Sequence, residues 1–138
     1  MGLFEKLSGI GAIQLAPKSA LALAALTVIG ADGFVEDEEL EGLVRILKGD
    51  QNAFDRAFKV YKDKSITECV EIVSSLLDDK QKLAAIANLL DLAMADGRLA
   101  GTEKELLESY VRNFDLPANA VNEIVEVMAV KNDLSVFS

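Results

Sequence analysis

One tripeptide occurs twice in this chain, each time in the same setting. Ala31-Asp32-Gly33 returns as Ala95-Asp96-Gly97, 64 residues later. The match extends outward: residues 25–47 aligned with 89–111 share seven positions, the three corner residues plus Leu26/Leu90, Glu39/Glu103, Glu41/Glu105 and Leu43/Leu107. A long apolar run precedes each Asp-Gly corner and an amphipathic run follows it. Apolar residues recur at helical spacing along nearly the whole chain, and the alternation of half-buried strands is almost absent. The expected fold class is therefore all-α: a seven-helix bundle built from two pseudo-twofold-related helical hairpins, with helices three and four as the connector. Two copies close on each other instead of stacking into a solenoid. The 138 residues suffice to bury roughly 68–70% of the unfolded surface, so folding needs no disulfide or structural metal.

Punctuation along the chain sets the expected helices. Pro17 suits a first helical turn and opens a helix through about Ala31. The second covers 36–48, with Leu40, Leu43, Val44 and Leu47 on one face and Gly49 just beyond its end. A third, over 51–62, aligns Phe54, Ala57, Phe58 and Tyr61. Ser65-Ile66-Thr67-Glu68 has capping-box spacing and starts a fourth with Ile66, Val70, Val73 and Leu77 inward. Asp79 is the expected cap of a fifth helix reaching about Ala95. The sixth spans 101–114, and Pro117 opens a seventh with Val121, Ile124, Val125 and Met128 inward. The expected division is an arm over 1–15, a helical domain over 16–131 and a loose tail over 132–138.

Composition removes whole function classes. The chain has 23 acids against 14 bases, a net charge of −9, and lacks a dense Lys/Arg run, so no nucleic-acid partner is expected. It contains no histidine, which excludes Ser-His-Asp and Cys-His catalysis and His-ligated zinc. Its single cysteine, Cys69, excludes disulfide frameworks and thiolate zinc sites; it reads as an inert packing residue in a reducing, cytoplasmic setting. The apolar stretches 20–31 and 83–95 fall short of a bilayer span, so no integral membrane segment is expected. Neither is a secretory signal. Phosphate loops of the GxxxxGK[ST] or GxGxxG kind are missing, and nothing identifies a substrate cleft, so the protein is expected not to be an enzyme.

What remains is a set of acids. Asp32 and Asp96 follow apolar helices, where the macrodipole disfavours a carboxylate by roughly 0.3–1 kcal/mol. Seven residues on, Glu39 and Glu103 lie in the first turn of the next helix. One reading is structural: Asx turns for the aspartates, capping boxes for the glutamates, and left-handed Gly33 and Gly97 ending the helices. A capping box, however, wants Ser or Thr where Glu36 and Ala100 stand; Thr102 with Glu105 offers an alternative box, shifting the second boundary by two residues. The other reading brings Asp32, Glu39, Asp96 and Glu103 together around a hard divalent cation, Ca²⁺, Mg²⁺ or Mn²⁺. An EF-hand is excluded, because Gly follows the Asp directly and Glu comes at the eighth place instead of the twelfth. Asp91 reads better as an internal polar partner than as a fifth ligand.

The paired corners, in ALTVIGADGFVEDEEL and LLDLAMADGRLAGTEKEL, resemble those of the TerB-like family of tellurite resistance proteins, to which the N-terminal domain of a membrane-anchored DnaJ-like protein is related. The resemblance covers about residues 16–130. It implies a seven-helix bundle, a cation site built from Asp32, Glu39, Asp96 and Glu103, and a bacterial cytoplasmic role in stress or tellurite response, often at the inner face of the membrane. The chain departs from the family pattern at Ala100-Gly101-Thr102 and at Gly30. The expected function is a non-enzymatic cation-binding module that presents a surface to a protein partner; the alternative is a purely structural scaffold.

Two features stand apart from that argument. Glu36, Asp37, Glu38, Glu39 and Glu41 form an acidic cluster that reads as a solvated face at a helix N-terminus. Leu3, Phe4, Leu7 and Ile10 form a short amphipathic pattern for which packing on the bundle is favoured over peripheral membrane contact, since Lys6 is the only base beside them. The aromatics Phe54, Phe58, Tyr61, Tyr110 and Phe114 recur at helical spacing and read as core.

Overall fold

The computed structural model describes residues 15–31, 33, 35, 37–94 and 101–138. The expected amphipathic segment at Leu3, Phe4, Leu7 and Ile10 lies outside them. Among the described residues there are seven α-helices and no strand: α1 (Pro17–Ile29), α2 (Asp37–Ile46), α3 (Gln51–Asp63), α4 (Ile66–Leu76), α5 (Asp79–Ala93), α6 (Gly101–Phe114) and α7 (Ala118–Asn132). A 3₁₀ turn, Leu134–Phe137, follows α7 and is opened by Asp133, whose Oδ1 accepts from the Ser135 amide.

Helix α1 is apolar on every side, and such a helix can only be central. From Ser19 to Ile29 all its residues are buried except Leu21. It packs against α2, α3, α4, α5 and α6. Four alanines, Ala20, Ala22, Ala24 and Ala25, are fully buried on it and permit close approach on several sides. Its one buried hydroxyl besides Ser19 is satisfied twice: Thr27 Oγ1 donates to Ala24 O and lies 2.6 Å from the Tyr110 hydroxyl of α6. Because the single Thr27 proton goes to Ala24, Tyr110 is the donor across the helix pair. Burial pushes the Tyr110 phenol well above its ordinary value.

Packing between the hairpins is reciprocal. The first helix of one, α1, meets the second helix of the other, α6, and likewise α5 meets α2. At the second crossing a Cβ on Gly42 would sit 2.6 Å from Leu92 Cδ1, so the Leu92 side chain occupies the space the glycine leaves open.

Caps define the connector. Asp50 accepts from the Ala53 amide at the start of α3, and its carboxyl is held below the usual range by that bond despite some desolvation, with Lys18 helping. Ser65 and Glu68 form the expected reciprocal box at α4. At α5 the cap is Asp78, not Asp79: Asp78 pairs with Gln81 in a second reciprocal box and leaves Asp79 as the first helical residue. Lys48 and Gly49, both at positive φ, end α2.

Three packing expectations are corrected. Helix α7, which rests chiefly on α5, has no fully buried residue: Ile124 and Met128 pack half-buried against the core as expected, Val121 is half-buried, and Val125 is 42% exposed. On α3 only Ala53 and Ala57 are fully buried; Phe54 and Tyr61 are half-buried against the core, and Phe58, stacked between them beneath Lys62, is exposed. Leu40, Val44 and Ile66 are also exposed. Tyr110 and Phe114, by contrast, are core, as is Cys69, whose thiol burial pushes up to about 11.

Candidate metal centre

The two glutamates occupy the same place in their helices. Glu39 is the third residue of α2 and Glu103 the third residue of α6. Glu39 is half-buried, while Asp37, Glu38 and Glu41 around it face solvent. Glu103 is more extreme, at 6% exposure the one buried carboxylate among the described residues. Helix α6 begins at Gly101, so Thr102 lies within its first turn and the alternative boundary with a Thr102–Glu105 box is not adopted.

The two aspartates, Asp32 and Asp96, lie outside the described residues. In sequence each follows the last residue of its helix, Ile29 or Ala93, by three positions. Around the first corner the backbone is described at several points. Gly30 closes α1 by donating to Leu26 O, and the Gly33 amide donates to Gly30 O. Gly33 has φ +84, the left-handed conformation expected of it, but it turns the corner four residues past the helix and does not itself end α1. The departure at Gly30 has a structural cause: a Cβ there would overlap the Tyr61 hydroxyl. Gly97 lies outside the described residues.

Among the described residues no group of three or more His, Cys, Asp or Glu side chains is placed to hold a metal ion. Of the four expected ligands these residues include only Glu39 and Glu103. Both offer carboxylate oxygens, which suit a hard divalent cation, and the burial of Glu103 is the kind of site where a carboxylate needs compensation by donors or positive charge.

Asp91, one and a half turns before Asp96, is a polar partner. Its Oδ1 accepts from Lys131 Nζ at 2.8 Å and from Asn132 Nδ2 at 3.0 Å, fastening the end of α7 to α5. Partial burial pushes its carboxyl up, yet the bonds from Lys131 and Asn132, with Lys131 and Arg45 as nearby cations, bring it below the usual value. Neither this clasp nor the Thr27–Tyr110 bond was signalled by spacing; their partners are 40 and 83 residues apart.

Residues 18–127 match the family model described as tellurite resistance protein TerB. The chain belongs to the TerB family. No curated protein and no solved structure matches it. Among the described residues of this TerB-family domain, no helix is long and apolar enough to cross a membrane.

Proposed function

We propose that this TerB-family protein is a cytoplasmic, non-enzymatic module of stress or tellurite response that binds one hard divalent cation through Asp32, Glu39, Asp96 and Glu103. The observation that carries the reading is the burial of Glu103 at the helix position matched by Glu39 in the other hairpin. Reciprocal packing of the hairpins supports it. Carboxylates about 5 Å apart at an effective dielectric near 20 repel by roughly 3 kcal/mol, so four of them at one point would call for a cation. Bound there, the cation would draw the hairpins together.

The same binding would reach a partner surface through α5, which leads into the second corner and carries α7. The run of Val127, Val130, Leu134, Val136 and Phe137 is exposed along α7 and the 3₁₀ turn, and supports this end of the molecule as the surface offered to a protein partner.

Thermal melting of chelator-treated protein, with Ca²⁺, Mg²⁺ and Mn²⁺ added singly, tests the reading. One of them should stabilise the fold by about 2.7 kcal/mol at a hundredfold excess over its dissociation constant. No shift with any ion, or an equal shift in Asp32→Asn/Asp96→Asn, would remove it.

A structural scaffold is the second reading, favoured by one observation: Glu39 and Glu103 stand where capping-box glutamates stand. Alanine substitution of either separates the two. Capping predicts a loss of about 0.5–2 kcal/mol whether or not cation is present. Ligation predicts a loss seen mainly with cation.

A further inference from the structure

The face shared by α2 and α3 is not finished by the helices around it. Leu40, Val44, Leu47 and Phe54 line a groove of about 230 Å³ that has Asp50 and Gln51 at one end. Leu40 is 37% and Val44 56% exposed, although both lie on the apolar stripe of α2. Asp50 also marks where the chain arrives. Its carboxylate lies 3.4 Å from Lys18 Nζ in the first turn of α1, so Leu15, half-buried against the core, stands within one helical turn of the residue that reaches the groove's end.

Fourteen residues precede Leu15. Leu3, Phe4, Leu7 and Ile10 fall on one side of a helical projection, with Glu5 opposite. We propose that residues 3–10 fold back as an amphipathic helix and lay this apolar side in the groove between α2 and α3. The lengths agree. A helix of residues 3–10 is about 12 Å long, against about 10 Å from Leu40 to Leu47 along α2 and its last turn. Extended, residues 11–14 reach about 13 Å, enough to connect the two. A tethered segment also competes at an effective concentration of order millimolar, ahead of a second copy of the chain at ordinary dilution. The groove then takes its own chain as occupant, and the exposed face of α2 becomes core.

Two cysteine pairs in the full chain test this, Leu7→Cys/Val44→Cys and Glu5→Cys/Val44→Cys. The tether is nearly the same in both, but residue 5 faces away from the groove in the docked helix. Cys69 stays silent, being buried with its thiol pushed up to about 11. Under mild oxidation the intramolecular disulfide should form at least about tenfold faster in the first pair. As a second measurement, Leu3→Asp/Leu7→Asp should lower the melting temperature. Equal rates in the two pairs would overturn the proposal. So would disulfide-linked dimers in place of the intramolecular bond, or co-sedimentation with phosphatidylserine vesicles that Leu7→Asp abolishes.

Discussion

Helices α4 and α6 both carry a glutamate as their third residue, yet Glu68 stands in solvent and Glu103 is buried. At α4 the glutamate's role is ordinary, since it accepts from the Ser65 amide while Ser65 Oγ accepts from its own. The Ser65 amide bond holds its carboxyl below the usual range. Helix α5 repeats the arrangement with Asp78 and Gln81. In sequence, α6 is preceded by Ala100, which has no side-chain oxygen, and α2 by Glu36, where α4 and α5 are preceded by Ser65 and Asp78. One residue type at one helical position thus does two things. In the connector it completes a cap that water could also complete. In α6 it places a buried carboxylate, whose desolvation costs several kcal/mol unless charge and hydrogen bonds offset it, and in α2 a half-buried one.

The largest difference should appear under saturating cation. There Glu103→Gln should forfeit the whole linkage stabilisation, about 2.7 kcal/mol at a hundredfold excess, and in chelator it should lose little of it. Equal losses in the two conditions would put α6 in the same class as α4. Next come the boxes: Ser65→Ala and Asp78→Ala should each cost about 1 kcal/mol by denaturant unfolding, unchanged by chelator or cation. A cation-dependent cost at Ser65 would erase the contrast from the other side.

The smallest effect concerns the clasp at Asp91. Its carboxyl is lowered in the folded protein, so its stabilisation is complete above the ordinary value of 3.8 and fades as pH falls through the lower folded-state value. Hydrogen exchange of α7 amides should therefore accelerate relative to α1 as pH drops below that value, and Asp91→Asn should flatten the dependence. Acid loosening of α7 that persists in Asp91→Asn would assign it to other groups.

Local chemistry explains how much of this was readable from sequence. Pro17, Gly49, the Ser65–Glu68 box and Pro117 act within one turn, and the helices begin and end near them. Asp78 and Asp79 both qualify as caps by residue type; only the reciprocal bond with Gln81 distinguishes them. Periodicity was informative about which face is apolar and silent about what covers it. That is why Phe58 and Val125 resemble core in sequence and are exposed in the fold, while Tyr110 lies in the centre. Of the candidate site, the matched register of Glu39 and Glu103 was legible because it rests on spacing. The burial of one and the half-burial of the other was not, since that depends on how α6 and α2 pack against other helices.

The central claim is that both corners serve one ion, and amide NMR of chelator-treated protein titrated singly with Ca²⁺, Mg²⁺ and Mn²⁺ addresses it most directly. With at least one of them, signals from 31–39 and 95–103 should change together, along one isotherm and at one ion per chain. Changes confined to one corner, or separate isotherms for the two, would contradict the account.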